Sequence, residues 1–250
     1  MNRFDLSGKV ALITGANTGI GQGIALALAE AGADVALVGR TAARETAERV
    51  QALGRRAAIV PADLSSTAPV AATVEQVLAE LGALDILVNN AGIIRRGDAL
   101  DVTEDDWDAV IDTNLKSLFF LCQAAGRHMA ARGRGKIVNI ASLLSVQGGI
   151  RVSAYTAAKH GVAGVTKLLA NEWAARGINV NAIAPGYIAT NNTAALREDE
   201  ARSRQILERI PAGRWGDPGD LGGAAVFLAS SASDYVHGHT LVVDGGWLAR

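Results

Sequence analysis

The chain has 250 residues, 49% hydrophobic and 20% charged, and 24 Lys and Arg residues against 25 Asp and Glu residues leave a net charge of −1. This balance argues against nucleic-acid binding, which needs a basic surface. The single Cys122 excludes an intramolecular disulfide. We expect no signal peptide, because no apolar segment of adequate length follows the first residues. We also expect no membrane span, because the two long uncharged stretches, Val10–Ala29 and Gly177–Leu196, are broken by glycine and polar residues. We therefore expect a cytoplasmic protein with no membrane segment and no nucleic-acid partner.

Short β-branched segments alternate with longer helix-like segments along the chain. The predicted strands are Val10–Thr14, Val35–Gly39, Ala57–Val60, Ile86–Asn89, Ile137–Ile140, Val180–Ile183 and Leu241–Val243. The predicted helices are Ile20–Ala31, Ala42–Leu53, Ala68–Leu81, Glu104–Arg132, Ser153–Arg176 and Pro218–Ser230. Several strands are apolar at nearly every position, as strands covered on both faces are. The pattern predicts a single α/β domain over residues 1–250, with a doubly wound parallel sheet of about seven strands and helices on both faces.

One long segment interrupts this alternation. Tyr187–Pro211 is the only long stretch between predicted elements that contains no strand. Ligands of open α/β sheets bind at the carboxyl edge of the strands. We expect residues 187–211 to form a lid over that edge.

A glycine-rich turn directly follows the first predicted strand. The segment Thr14–Gly21 carries Gly15, Gly19 and Gly21 in a G-x-x-x-G-x-G spacing, and an apolar helix-like segment follows. At such a junction glycines let the backbone approach a pyrophosphate, and the helix N-terminus supplies free N–H donors. Close helix packing could also require these glycines, but their position between the first strand and the first helix favours a dinucleotide site.

The end of the second predicted strand bears on the choice of dinucleotide. An acidic residue there would bind the ribose 2′-hydroxyl of NAD, whereas an arginine accommodates the 2′-phosphate of NADP. The sequence has Arg40 and no carboxylate at this point, which favours NADP(H), although Arg40 could also be a solvated loop residue. Asp63, after the third strand, could accept a hydrogen bond from adenine or begin a helix, and the sequence does not choose between these.

Three polar residues suit ketone and alcohol chemistry. Tyr155 and Lys159 are four residues apart in a helix-like segment, which puts both side chains on one face. A phenol has a pKa near 10, and we expect the cation one turn away to lower it towards neutrality. Ser142 follows the fifth strand closely and could hydrogen-bond a substrate carbonyl. Alone, a Tyr-x-x-x-Lys spacing is more often an ordinary surface pair.

In combination with the glycine turn, the sequence resembles the short-chain dehydrogenase/reductase family over its whole length. The matching residues are Thr14–Gly21, Asn89–Gly92, Asn114, Ser142, Tyr155, Lys159, Pro185–Gly186 and Thr190. The resemblance implies a Rossmann-like fold with Tyr155 as general acid/base. It also implies that Asn114 holds a water linking Lys159 to solvent, and that Thr190 binds the nicotinamide carboxamide. The catalytic residues implied are Ser142, Tyr155, Lys159 and Asn114.

The resemblance also implies a set of cofactor-binding residues. They are Gly15, Asn17, Thr18, Gly19, Ile20, Arg40, Asp63, Leu64, Asn89, Ala91, Gly92, Tyr155, Lys159, Pro185, Gly186, Ile188 and Thr190. Members that act on sugar acids typically use NAD(H) and have no arginine after the second strand. The local chemistry at Arg40 nevertheless favours NADP(H), because that loop selects for or against the 2′-phosphate.

Five segments around the expected active site, 90–96, 145–151, 184–193, 209–216 and 243–250, resemble those of the sugar-acid dehydrogenases of this family. The resemblance implies a keto or hydroxy sugar acid of the deoxygluconate type as substrate, with gluconate or another carbonyl compound as the alternative. A carboxylate is usually bound by arginine. The substrate-binding candidates are Arg95, Arg151, Gln147, Tyr187, Asn191 and Asn192, with Arg96 as a further arginine. Arg96 and Arg151 could instead be surface or subunit-interface charges.

Two other classes of function are less well supported. Only His237 and His239 among the four histidines are closely spaced, and no cysteine or carboxylate trio accompanies them, so we expect no metal. A cofactor-binding regulator without turnover has no need of Ser142, Tyr155 and Lys159.

The assembly is predicted from two long helix-like segments. Glu104–Arg132 and Ser153–Arg176 carry apolar residues beyond a single stripe, which indicates burial on more than one side. Core packing alone could explain this. The family habit of pairing these helices across a two-fold axis implies a homotetramer.

Overall fold

The computed structural model describes residues 2–250, which form one sheet of seven parallel strands. The strands are β1 (Val10–Thr14), β2 (Asp34–Gly39), β3 (Ala57–Pro61), β4 (Ile86–Asn89), β5 (Gly135–Ile140), β6 (Ile178–Pro185) and β7 (Thr240–Val243). Their order across the sheet is β3-β2-β1-β4-β5-β6-β7. The chain moves outward from β1 to β3 and then returns to place β4 beside β1, so a crevice opens where these two strands end. The predicted doubly wound parallel sheet is confirmed.

The helices lie between the strands in the predicted order. They are α1 (Gly19–Glu30), α2 (Arg44–Ala52), α3 (Val70–Leu81), α4 (Glu104–Ile111), α5 (Ser117–Arg132), α6 (Ser153–Trp173), α7 (Ala194–Glu198), α8 (Glu200–Arg209) and α9 (Gly222–Ala229). Successive residues of β1 point into two separate apolar layers. Leu12 packs in a cluster with Val74 of α3 and Leu121 of α5, whereas Ile13 packs in a cluster with Ile24 of α1. Helices therefore cover both faces of the sheet.

Three predicted helices include a turn of a different helical type in the structure. The predicted helix Glu104–Arg132 contains a π-helical turn, Asp112–Lys116, between α4 and α5. The predicted helix Ser153–Arg176 ends its regular part at Trp173 and closes with a 3₁₀ turn. Residues 218–221 are likewise a 3₁₀ turn ahead of α9, because Pro218 and the side-chain cap of Asp217 fix the tighter geometry there.

The segment predicted as a lid contains helices that the sequence pattern did not indicate. After a 3₁₀ turn at Asn191–Thr193 it forms α7 and α8, and the side chain of Asp199 caps α8 by accepting a hydrogen bond from the Arg202 N–H. Ile206 and Ile210 are buried in a small cluster with Leu143 and Trp247. Its role as a lid, like the assignment of 1–250 to one domain, stays a prediction.

Within residues 2–250, no helix combines the length and the apolar character needed to cross a bilayer.

Candidate active site

A cleft of about 250 Å³ opens at the carboxyl ends of β1 and β4. It joins the glycine turn, the loop after β4, the face of α6 and the start of the 187–211 segment. Its walls are Gly15, Asn17, Thr18, Gly19, Ile20, Asn90, Ala91, Gly92, Ile94, Ile140, Tyr155, Lys159, Thr190, Asn191 and Asn192. Twelve of these fifteen are residues that the sequence predicted for the site, whereas Asn90, Ile94 and Ile140 were missed.

The glycine turn has a backbone that other residues cannot readily adopt. Gly15 and Gly19 have φ values of +65° and +58°, in the left-handed region that favours glycine. A β-carbon on Gly21 would overlap the carbonyl of Gly15 and the side-chain amide of Asn90. Within the described chain the Thr18 side chain makes no capping hydrogen bond to α1. The first N–H groups of α1 are therefore open to a ligand in the cleft.

Asn90 fastens the glycine turn to the end of β4. Its Nδ2 donates to the carbonyls of Thr14 and Gly15 at 2.9 and 3.1 Å, and its backbone N–H donates to Thr14 Oγ1 at 2.9 Å. These hydrogen bonds therefore tie the glycine turn after β1 to the loop after β4. A signal for this role was present in the sequence, because Asn90 is the first residue past β4 within the Asn-Asn-Ala-Gly motif.

The side chain of the neighbouring Asn89 does not reach the cleft, so only its backbone could meet a cofactor, and its assignment to the cofactor stays a prediction. Asn89 is 3% exposed, and its Nδ2 donates to Asn139 Oδ1 at 2.9 Å and lies 3.1 Å from Cys122 Sγ. Burial raises the pKa of the Cys122 thiol to about 12, so this cysteine stays protonated. Asn89 lies within the strand and points into the core, whereas Asn90 beyond it turns to the cleft.

Tyr155 and Lys159 share one face of α6, as the spacing predicts. The Nζ of Lys159 lies 5.5 Å from the centre of the Tyr155 ring and donates a 2.6 Å hydrogen bond to the carbonyl of Ile140. Lys159 is 4% exposed, and this burial lowers its pKa to about 8. A buried ammonium is thereby held at the end of β5, beside the phenol.

The expected lowering of the Tyr155 pKa is wrong. Burial of the phenol raises its pKa above the ordinary value, and this outweighs the opposing effects of the Ser142 hydroxyl and the charge of Arg96. Burial disfavours the charged form of Lys159 as well, so the pair is held less ionised than in water.

Ser142 caps a 3₁₀ turn at Leu143–Ser145, and this Ser142 turn is attached to α6 through Ser145. Ser142 Oγ accepts a hydrogen bond from the Leu144 N–H, and the Ser142 N–H donates to Ser145 Oγ. Ser145 Oγ in turn donates to the Lys159 carbonyl at 2.7 Å. Ser142 is therefore fixed relative to the helix that carries Tyr155 and Lys159.

Asn114 lies in the π-helical turn and is 1% exposed. Its Oδ1 accepts from the Ile93 N–H at 2.8 Å, and its Nδ2 donates to the Ile93 carbonyl at 2.9 Å. The side chain bonds the loop after β4 rather than its own helix. Asn114 also lies close to Gly92: a β-carbon on Gly92 would be 3.3 Å from Asn114 Oδ1. Its predicted role in holding a water stays a prediction.

Arg40 and Asp63 lie outside the cleft walls, at the ends of β2 and β3. Arg40 is exposed at the end of β2, and its charge contributes to a lowered Asp63 pKa, although hydrogen bonds from Ser65 contribute more. Asp63 Oδ1 accepts from the Ser65 N–H, and α3 begins only at Val70, so Asp63 does not begin a helix. Leu64 is buried in the core, so only its backbone could meet a ligand.

The arginines proposed for the substrate differ in what they contact. Arg95 Nε lies 3.6 Å from Asp106 Oδ1, and Arg151 Nε lies 3.4 Å from Asp98 Oδ1. The backbone φ of Arg151 is +62°. Both guanidinium groups thus face carboxylates of the chain itself. Arg96, by contrast, donates to the carbonyl of Asn192 on the cleft wall, and its charge acts on Tyr155.

The remaining predicted residues divide between the cleft and a neighbouring cavity. Asn191, Asn192 and Thr190 line the cleft. Tyr187 and Ile188 instead line a second cavity of about 210 Å³ beneath the 187–211 segment. Pro185 and Gly186 follow β6, where a β-carbon on Gly186 would overlap Asp244, and Gln147 is half-buried in the turn after Leu143. The structure therefore does not bring Tyr187 or Gln147 to the cleft wall.

Metal ligation has no candidate site in the described chain. Across residues 2–250, no three His, Cys, Asp or Glu side chains come together as a potential metal site.

The chain belongs to the short-chain dehydrogenase/reductase family, whose members are nicotinamide-dependent oxidoreductases. A family model described as "Enoyl-(Acyl carrier protein) reductase" matches residues 15–248. The match spans the glycine turn, the acid/base pair and the segment after β6, so it covers every part of the cleft.

Relatives that match over nearly their whole length are named as dehydrogenases of sugar acids. The chain is 61% identical over 251 residues to 2-dehydro-3-deoxy-D-gluconate 5-dehydrogenase of Escherichia coli, covering 100% of this chain and 99% of that protein. It is 59% identical over 248 residues to the Bacillus subtilis protein of the same name, covering 99% of this chain and 97% of that one. A crystal structure from Agrobacterium tumefaciens, described as a candidate 2-deoxy-D-gluconate 3-dehydrogenase with bound NADP, has 59% identity and a TM-score of 0.93, with 100% of both chains covered.

Proposed function

We propose that the protein transfers hydride between NADP(H) and a keto or hydroxy sugar acid of the 2-dehydro-3-deoxygluconate type. The observation that carries the proposal is the cleft, because the glycine turn, the Tyr155–Lys159 pair and Asn191–Asn192 all line it. The relatives' names supply the substrate class, because identity near 60% extends over essentially the full length of both chains.

The residues at the carboxyl edge suit a dinucleotide. Gly15 and Gly21 let the turn pack closely against Asn90 and Ala91, and Gly15 lines the cleft beside the open N-terminus of α1. Backbone N–H groups and the positive end of the helix dipole favour a pyrophosphate there. Thr190 lies across the cleft, with its methyl 3.2 Å from the position of a β-carbon on Gly19, and we assign it to the nicotinamide end.

Arg40 supports NADP(H) over NAD(H). The residue is exposed at the end of β2, and the neighbouring Asp63 is occupied by hydrogen bonds from Ser65. An exposed guanidinium can pair with a 2′-phosphate, whereas the ribose-binding carboxylate of NAD-selective sites is missing from this loop. The NADP in the Agrobacterium relative agrees with this assignment.

Residues of the chain transfer the proton to or from the substrate oxygen. When bound, the cofactor supplies or accepts the hydride. Tyr155 donates a proton to the carbonyl oxygen during reduction, or removes it during oxidation, and Ser142 hydrogen-bonds the same oxygen. Lys159 adds positive charge beside the phenol and stabilises the phenolate as it forms.

Arg96 is the arginine best arranged to hold the substrate carboxylate. Arg95 and Arg151 already face Asp106 and Asp98. Within residues 2–250, the Arg96 side chain instead makes one hydrogen bond, to the backbone carbonyl of Asn192 on the cleft wall. Its charge reaches Tyr155, so a carboxylate beside Arg96 would lie close to the reacting centre. Asn191 and Asn192 supply further polar groups for sugar hydroxyls.

We also propose a homotetramer in the cytoplasm, with the 187–211 segment as the lid of each subunit. Phe120 of α5 and Leu168 of α6 are 38% and 48% exposed, which supports pairing of these helices between subunits. A size-exclusion mass near that of one chain, 25.8 kDa, would refute the tetramer.

The deciding experiment assays a panel of keto sugar acids, gluconates and deoxygluconates with NADPH and NADH. We expect turnover of the 2-dehydro-3-deoxygluconate class with NADPH. Tyr155→Phe should lower kcat by about 10²- to 10⁴-fold while leaving NADPH binding intact. Tyr235→Phe, at a residue that is 99% exposed, is the matched control. Absence of turnover on every acid with either cofactor would refute the proposal.

A further inference from the structure

We propose that Trp247 and Arg250 are positioning residues for the substrate wall of the cleft. Together they hold α8, and through it the 187–211 segment, in register with the Ser142 turn. The inference rests on the proposed function insofar as it concerns the sugar-acid substrate. Its structural part, the attachment of α8, can be tested without turnover.

Trp247 packs between the two sides of this region. It is 5% exposed and belongs to the cluster that contains Leu143, the residue after Ser142. The centre of its ring lies 4.6 Å from that of Tyr187, and the guanidinium of Arg209 lies 4.1 Å above it. One indole ring thus contacts the loop after β6 and the last residue of α8.

Arg250 closes the end of the same helix. Its Nε donates to the Arg209 carbonyl at 3.2 Å, and its Nη2 donates to the Glu208 carbonyl. The final carbonyls of a helix have no partner within the helix, and a cation at that end also interacts favourably with the helix dipole. The Ala212 N–H adds a 2.9 Å bond to the Gly245 carbonyl just beyond. Residues 245–250 therefore act as a clasp on α8.

The clasp acts on the substrate side of the cleft more than on the cofactor side. The 187–211 segment carries Asn191 and Asn192, which we place on the substrate wall. Thr190, which we assign to the nicotinamide end, is held separately, because its N–H donates to Thr193 Oγ1 at 3.0 Å. The glycine turn is held by other groups, namely the amide of Asn90 and the start of α1. Loosening the clasp should therefore weaken sugar-acid binding and leave NADPH binding nearly unchanged.

The indole nitrogen offers a conservative variant. Trp247 Nε1 is buried and has no hydrogen-bond partner within residues 2–250. Removing this donor therefore leaves no partner unsatisfied. Trp247→Phe should keep an aromatic face under Arg209 with part of the packing, whereas Trp247→Leu removes the aromatic face.

The test compares Trp247→Leu, Trp247→Phe and Arg250→Ala with Arg204→Ala, an exposed arginine on the same helix. We expect Trp247→Leu and Arg250→Ala to raise KM for the sugar acid by about fivefold or more, as loss of a cation–π contact or helix-end cation suggests. Their kcat and NADPH Kd should stay within about twofold of the unmutated values, and Trp247→Phe should restore KM. An unchanged KM, an equal change in the control, or a weakened NADPH Kd would overturn the inference.

A second readout separates this inference from the proposed function. If no sugar acid is turned over, the proposed function fails, and hydrogen exchange at residues 200–209 still tests the clasp. Arg250→Ala should speed exchange there relative to Arg204→Ala, whereas equal exchange in the two variants would refute the clasp. Arg250 is exposed, so its variant carries the test even if Trp247→Leu does not fold.

Discussion

Lys159 Nζ donates a 2.6 Å hydrogen bond to the carbonyl oxygen of Ile140, the last residue of β5. This contact holds a buried lysine at the carboxyl edge of the sheet, directly beside the phenol of Tyr155. The cation that the chemistry needs is thus fixed by the sheet backbone, not by a carboxylate. A partner carboxylate would raise the lysine pKa and neutralise its effect on the phenol.

The lowered pKa of Lys159 predicts a specific pH dependence of stability. The folded chain binds the lysine proton with a pKa of about 8 instead of 10.5, so between these values the unfolded chain binds more protons and stability rises with pH. The contribution is fully present above 10.5 and is lost as pH falls through 8. Relative to Lys159→Met, the free energy of unfolding should rise by up to ~3 kcal/mol across this window. Urea unfolding measures it, with exposed Lys167→Met as the control, and parallel pH curves for the unmutated chain and Lys159→Met would contradict it.

Arg40→Ala should abolish the preference for NADPH. Loss of a charge-assisted bond to the 2′-phosphate should raise KM for NADPH by about tenfold or more, while KM for NADH stays nearly constant. Steady-state kinetics with both cofactors provide the measurement. Arg49→Ala is the matched control, because Arg49 is exposed on α2 and pairs with Glu45. Better kinetics with NADH in the unmutated protein, or a retained preference in Arg40→Ala, would show that the loop does not select the cofactor.

Arg96→Ala should weaken binding of the acid and shift the pH profile. KM for the sugar acid should rise by about tenfold or more, because a charged hydrogen bond to the carboxylate is lost. Arg96 lowers the Tyr155 pKa, so its removal should move the apparent pKa of the acid/base group upward. Arg95→Ala, one residue away and paired with Asp106, serves as the control. A larger KM effect at Arg95 would reassign the carboxylate.

Gly21→Ala should disrupt the cofactor turn. The new methyl group would meet the Gly15 carbonyl and the Asn90 amide, neither of which can withdraw without opening the turn. We expect NADPH affinity to fall by at least about tenfold, measured by fluorescence titration. Gly223→Ala in α9 is the comparison, because nothing lies within 4 Å of its β-carbon position. That variant should gain about 0.5–1 kcal/mol of stability, since alanine favours a helix. Intact NADPH binding in Gly21→Ala would mean that the turn tolerates the methyl group.

The regular elements could be predicted because their signals are local. β1 and β4 have the predicted bounds, since short apolar runs end at the glycine and asparagine motifs. Local spacing also brought Tyr155 and Lys159 to one helix face. The helices of the 187–211 segment were missed because their sequence is polar, and α8 is held by contacts distant in the chain, such as Arg250 with Arg209.

The roles of side chains outside the motifs depend on where each side chain points in the folded protein, and the sequence pattern does not show this. Asn89 and Asn90 are adjacent, yet one points into the core and the other turns to the cleft. Arg95 and Arg96 separate in the same way, between Asp106 and the cleft wall. The direction of the Tyr155 pKa shift could not be predicted from the sequence either. Burial of the phenol is a property of the assembled fold, and its effect outweighs that of nearby positive charge.

The π-helical turn at Asp112–Lys116 makes chain length itself part of the site. A π turn accommodates one residue more than an α-helical turn, and each residue of an α-helix advances by about 100°. Removing one residue there would let an ordinary α-helical turn join α4 and α5, so the buried stripe that contains Leu121 would still face the sheet. Asn114 would lose its position against the loop at Ile93. A one-residue deletion at this point would thus spare the core and disrupt the site, because the extra residue is what places Asn114 against that loop.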